Sequence, residues 1–160
     1  MPKKIREGNA VKRFHTSPRI VPEIVGHHSA NVCAILLRLD PQCRKELLVA
    51  ALMHDIPEAL TGDIPYPLKQ KYPAIRAYIE EAEDDFYNDY DLVDCPITLH
   101  ESILLKLADM VDLILSCFEE YNMGNFYVTR MIDNGTNYLE KMDLPDELRA
   151  KALKLIEENM

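Results

Sequence analysis

An all-α fold in one domain is what this sequence predicts, and three observations carry the prediction. Apolar residues recur at helical spacing through six segments that together span most of the chain. No stretch alternates apolar and polar residues for long enough to read as a strand, and glycine, with five residues in 160, is too scarce for a turn-rich β architecture. The length suits one domain with a genuine core, and no repeat, low-complexity tract or linker divides residues 1–160.

The first helix is expected over Val21 to Leu39, where Ile24, His28, Val32, Ile35, Leu36 and Leu39 share a stripe. Asp40-Pro41 introduces a second, Arg44 to His54. Pro57 falls early in the segment after it, where a first-turn proline is tolerated. Gly62, Pro65 and Pro67 then break the chain, so Thr61 to Pro67 is expected to be a loop. Pro73 to Tyr87 reads as an acidic amphipathic helix whose run Glu80 to Asp85 is a solvated face. Asp89 to Cys95 is expected to be a loop. Leu99 to Tyr121 is a long helix, Asn122 to Asn125 breaks it, and Val128 to Glu140 and Pro145 to Glu158 complete the fold.

A net charge of -9 argues against binding a nucleic-acid polymer, which needs a basic footprint. It leaves a nucleotide substrate open, because a few local cations reverse the sign inside a pocket. Cys33, Cys43, Cys95 and Cys117 form no close CxxC pair and read as reduced thiols. No apolar run succeeds the basic N-terminus, and no segment is long enough to span a membrane. The expected location is the cytoplasm, or the host cytoplasm for a phage-borne chain.

His54-Asp55 closes an apolar run, Leu47-Leu48-Val49-Ala50-Ala51-Leu52-Met53. Two ionisable groups at the end of such a run are costly unless something satisfies them, and a first-row divalent ion does so with imidazole and carboxylate ligands. Adjacent ligands cannot enclose an ion alone. His28, on the apolar stripe of the first helix, and Asp109, inside Leu107-Ala108-Asp109-Met110-Val111, are each commonplace singly. Together, three apolar helices each bring a His or Asp inward, and one shared cation accounts for all of them. Glu58 lies four residues after His54 and three after Asp55, so continued helical geometry projects it from the same face. A carboxylate there suits acid–base chemistry beside a metal-bound water. Asp63 lies on the breaker-rich loop at the mouth.

This pattern resembles the HD superfamily, whose signature is a His, a His-Asp pair and a distant Asp. The segment from His54 to Lys69 resembles the HDxxExxTGDxPxPxK stretch of bacterial 5'-deoxynucleotidases and of short phage-type dNTP triphosphohydrolases, including those acting on dATP. Arg13-Phe14, fifteen and fourteen residues before His28, matches the Arg-aromatic pair ahead of the first metal histidine. The resemblance runs from about Lys12 to Asn125. Two positions depart from it: His27-His28-Ser29 stands where the family usually has Glu-His-Ser, and Phe14 where Trp is common.

The resemblance implies a helical HD-domain enzyme with its metal between core helices. His28, His54, Asp55 and Asp109 would ligate one catalytic divalent ion (Mn, Co, Mg, Zn or Fe), with further Mg on the substrate phosphates. Asp55 and Glu58 would serve catalysis. Arg13, Lys69 and Lys106 would contact phosphate, Phe14 would stack on the base, Asp63 would read the sugar hydroxyls, and Thr16, Ile20 and Pro67 would line the base pocket. Relatives are dimers or larger rings, so a homo-oligomer is expected. His15 after Phe14 leans the reading to a dNTP triphosphohydrolase yielding deoxynucleoside and triphosphate; the alternative is a 5'-deoxynucleotidase acting on dNMP. Hydrolysis of a signalling nucleotide, an HD domain that binds a nucleotide without catalysis, and a metal-free helical adaptor are more distant readings.

Overall fold

The stripe read on Val21 to Leu39 does form a helix, but it starts four residues late. In the computed structural model, which describes residues 2–90 and 95–160, this helix is α2, Val25–Leu39. Before it, Ile24 is extended and pairs with Lys12 as an isolated antiparallel bridge. The Arg13 N–H donates to the Glu23 carbonyl at 3.0 Å, and the Val25 N–H to the Val11 carbonyl at 3.0 Å. Pro22 biases Val21 away from helix, and these non-local bonds satisfy the backbone instead.

A helix the sequence pattern does not predict, α1 (Pro2–Asn9), precedes that bridge. It sits against the segment carrying His54 and Asp55, and Gly8 is why it sits so close. A Cβ on Gly8 would lie 2.6 Å from the Ile56 carbonyl oxygen and 2.9 Å from its Cα. Backbone cannot yield as a side chain can. Gly8→Val is therefore expected to cost about 1–3 kcal/mol of stability through overpacking. Urea unfolding measures it, and an unchanged midpoint would show that α1 is not seated there.

The next helix, α3, spans Lys45–Met53, and a single turn, α4, spans Glu58–Thr61. Gly62, at φ 70, ends α4 with the left-handed conformation that glycine adopts at little cost. The loop expected through Pro67 is shorter, because α5 already begins at Tyr66 (Tyr66–Lys71) with Pro67 in its tolerant first turn. The acidic helix α6 covers Pro73–Asp89. Most of the loop expected over Asp89 to Cys95, residues 91–94, lies outside the described residues.

The long α7, Leu99–Asn122, is the axis of the molecule. Its start is a capping box: the Glu101 N–H donates to Thr98 Oγ1 at 3.3 Å, and the Thr98 N–H donates to Glu101 Oε2 at 2.7 Å. Arg44, the residue capping α3, donates two bonds to the same carboxylate at 2.7 and 2.6 Å. These Arg44 bonds, then the Thr98 backbone, hold the Glu101 pKa down to about 2. One ion pair thus fixes the starts of α3 and α7 to each other. A 3₁₀ turn (Phe126–Val128), α8 (Thr129–Lys141) and α9 (Asp146–Glu157) complete the chain. The core lies where α2, α3, α8 and α9 meet α7, with Val32, Leu36, Leu47, Leu107, Val111, Ile114 and Leu139 fully buried. The described residues contain no strand, and none of their helices is long and apolar enough to cross a membrane.

Candidate active site

Three helices deliver the site. The last turn of α3 runs on as tight turns, with the Ile56 N–H donating to the Met53 carbonyl at 3.0 Å and the Glu58 N–H to the Asp55 carbonyl at 3.1 Å. His54, Asp55 and Glu58 are thereby held at near-helical spacing. The Tyr87 hydroxyl of α6 donates to the Met53 carbonyl at 2.6 Å and braces that end. His28 of α2 is fully buried, whereas His27 is exposed, so the core points the second of the two adjacent histidines into the site.

His28 Nε2 lies 3.2 Å from Asp109 Oδ1 and 3.6 Å from Asp55 Oδ2. His54 Nε2 lies 3.4 Å from Asp55 Oδ1, and the two imidazole rings are 5.3 Å apart. One ligand atom from each of His28, His54 and Asp109 falls within 4.8 Å of the others. The far sides of both rings are held. His54 Nδ1 is 2.8 Å from the Ala51 carbonyl, which can only accept, so Nδ1 carries the proton and Nε2 keeps its lone pair. His28 Nδ1 is 2.6 Å from Asp112 Oδ2.

Both Nε2 atoms are buried without a well-formed hydrogen bond, as is Glu58 Oε2. Two orphaned imidazole nitrogens converging beside two carboxylates fit a divalent cation in chemistry and in spacing. Burial disfavours charge on His28, but the carboxylates of Asp109 and Asp112 outweigh it and push its pKa up to about 9. Burial raises Glu58, with Asp55 and Asp63 adding like-charge repulsion, to about 8. Glu83 on α6 is also raised, by burial first, and feels both Lys69 and Asp55.

Arg13 is largely buried and spans the carboxylates: Nη1 lies 3.1 Å from Asp55 Oδ2, Nε 3.4 Å from Glu23 and Nη2 4.0 Å from Asp109. Phe14 comes next at φ 54, a strained backbone costing on the order of 1 kcal/mol for a bulky residue. The strain is held by Asp63, whose Oδ2 accepts the Phe14 N–H at 2.6 Å. The guanidiniums of Arg13 and Arg19 lie against the Phe14 ring, 5.2 and 4.9 Å from its centroid. The Arg-aromatic loop and the loop after α4 are therefore joined to each other.

Other expected residues lie further out. Lys69 is half-buried and close enough to influence both Glu58 and Glu83. Lys106 is exposed and stacks on Tyr138 with its Nζ 5.4 Å from the ring centre. Thr16 and Pro67 are exposed. Ile20 lines a different cleft, of about 590 Å³, with Phe126 and Tyr127. Its N–H, and that of Val21, donate at 2.8 Å to the buried Glu120 at the far end of α7.

Sequence reading does not find Glu23, Asp112, Arg19, Ser116 or Glu120. Asp112 carries a usable signal: it stands three residues after Asp109 in the same apolar segment. Glu23 carries none, because Pro22-Glu23 looks like an ordinary helix start. Its carboxylate in fact accepts from Ser116 Oγ at 2.5 Å and from Arg19 at 3.1 Å.

Solved structures of HD-domain phosphohydrolases share this fold. A cyanophage S-2L HD phosphohydrolase, DatZ, solved with dA and one catalytic Zn2+ ion, superposes with a TM-score of 0.74 at 15% identity, over 99% of this chain and 95% of its own. An HD-domain phosphohydrolase from Listeria innocua gives 0.75 at 19% identity, over 98% and 84%. The sequence narrows the class: residues 3–150 match the family model described as 5'-deoxynucleotidase YfbR-like, and the chain belongs to that family. A 5'-deoxynucleotidase of Vibrio cholerae is 32% identical over 140 residues, covering 72% of this chain and 71% of that protein. One from Photobacterium profundum is 28% identical over 140 residues, covering 73% and 72%. The expectation of an HD-type phosphohydrolase with an all-α fold is thus met.

Proposed function

We propose that the protein is a metal-dependent 5'-deoxynucleotidase, converting a dNMP to deoxynucleoside and orthophosphate. The observation that carries it is the convergence of two orphaned, buried Nε2 atoms on Asp109 and Asp55. His28, His54, Asp55 and Asp109 would hold the ion. When bound there, a divalent cation polarises a phosphoryl oxygen and makes a bound water acidic enough to act near neutral pH. Glu58, protonated at its raised pKa, donates a proton to the departing 5' oxygen. Arg13, largely buried and tethered by Glu23, would turn its guanidinium to the phosphate. Lys69 and Lys106 add charge at longer range. Phe14, with the exposed Thr16 and Pro67, would face the base. Asp63, one oxygen committed to the Phe14 N–H, has a second oxygen for a sugar hydroxyl.

A monophosphate is preferred to the triphosphate suggested by His15, which is exposed. With Glu58 neutral, the carboxylates of Glu23, Asp55, Asp63, Glu83, Asp109 and Asp112 still outnumber Arg13, Arg19, Lys69 and Lys106 around this site. Beyond the α-phosphate, a triphosphate needs more positive charge than these cations supply. Incubating the protein with dNMPs, NMPs and dNTPs in the presence of Mn, Co, Mg or Zn is expected to release orthophosphate from dNMPs. Intact triphosphate from dNTPs, with dNMPs unchanged, would reverse the choice.

A further inference from the structure

We infer that Asp112 is a positioning residue for the metal, holding the His28 ring so that Nε2 faces Asp109 and Asp55, where a cation takes the place of the Nε2 proton. The inference rests on the proposed metal-ligand role of His28, and its test separates the two.

Asp112 lies one turn beyond Asp109 on α7, so the same helix addresses both nitrogens of one ring. Asp109 Oδ1 stands 3.2 Å from Nε2 and Asp112 Oδ2 stands 2.6 Å from Nδ1. The second distance is that of a charge-assisted bond. An ionised carboxylate only accepts, so the Nδ1 proton stays between the two groups and Nε2 is left to a cation. His54 is oriented in the same way, but by the neutral Ala51 carbonyl. A charged acceptor makes the opposite ring nitrogen a stronger donor than a carbonyl does.

Architecture alone does not account for this residue. Asp112 is 3% exposed and His28 is wholly buried. His28 is the hydrogen-bond partner seen for Asp112 among the described residues. Burying a carboxylate for one side-chain contact is a poor way to hold two helices together. Glu23 also approaches within 4.8 Å of the His28–Asp112 pair. Its oxygens are occupied by Arg13, Arg19 and Ser116, so it does not compete for Nδ1.

The test uses the purified full chain, its Asp112→Ala variant and the nearly isosteric Asp112→Asn variant. Zinc affinity is measured by competition with a chelator, stoichiometry by elemental analysis, and the His28 tautomer by nitrogen NMR of the zinc-loaded protein. The expected result is one zinc in the wild type with His28 protonated at Nδ1. Affinity falls about 10–100-fold in Asp112→Ala, with an intermediate loss in Asp112→Asn. A purely structural Asp112 would instead lower thermal stability and leave zinc affinity unchanged in both folded variants, which overturns the inference. Wild-type affinity in Asp112→Asn overturns it even where the alanine variant fails to fold. A stoichiometry that drops from two to one would make Asp112 a ligand and also overturn it. A wild type that binds no zinc removes the metal reading itself.

Discussion

Asp55→Ala is expected to lower kcat by about 10³-fold or more while leaving the chain folded. The residue acts twice. Its Oδ2 lies 3.6 Å from His28 Nε2 and 3.1 Å from Arg13 Nη1, so one atom faces both the proposed cation site and the arginine proposed to contact phosphate. Losing a ligand removes several kcal/mol of charge stabilisation from the transition state; about 4 kcal/mol corresponds to about 10³-fold. Arg13 keeps Glu23 as a partner, so no buried cation is stranded, and repulsion on Glu58 is relieved. Circular dichroism is therefore expected to match the wild type, while bound metal and turnover both fall. Wild-type turnover in this variant would remove Asp55 from the site.

Glu58→Gln is expected to cut kcat by about 10²–10⁴-fold, the usual worth of a positioned acid, and to make the metal-free protein more stable. Burial, with help from Asp55 and Asp63, raises this carboxyl to about 8, and Oε2 has no partner. The folded protein therefore holds a proton that the unfolded chain releases above the ordinary glutamate range. Stability falls as pH rises from that range through about 8. At neutral pH the penalty is roughly 3 kcal/mol, and glutamine, uncharged and of the same shape, avoids it. At about 2–4 °C per kcal/mol for a chain of this size, the melting temperature rises by several degrees. Melting curves of the metal-free wild type and variant are expected to converge near pH 4 and to separate by pH 8. Equal stability at pH 8 would mean that Glu58 is not a strained acid. The combination of a more stable chain and a dead enzyme marks a site maintained at the expense of the fold.

The helices and four proposed ligands are legible in the sequence because burial writes itself as periodicity. An ionisable residue on an apolar stripe, such as His28 or Asp109, interrupts that periodicity visibly. What pairs across the chain does not. Glu23 and Glu120 work through backbone and side-chain partners about 90–100 residues away, and no local pattern marks them. Helix α1 is hidden for a related reason: its short, basic sequence has Ile5 as its one large apolar residue, and its packing depends on Gly8 meeting Ile56. The late start of α2 comes from Pro22 and the Lys12–Ile24 bridge, in which a non-local pairing overrides a continuous stripe.

Asp109, Asp112, Ser116 and Glu120 lie at intervals of three, four and four residues, a single row along α7. From one end to the other this row meets His28, then Glu23, then the backbone of Ile20 and Val21. The helix therefore acts as a ruler on which the proposed ion site and the wall of the neighbouring cleft are both marked. Each residue of helix turns the row by about 100°. A one-residue insertion between Asp109 and Glu120 would swing the downstream marks away from their partners, whereas loop-length changes elsewhere leave the spacing intact. Along this stretch, register matters as much as residue identity.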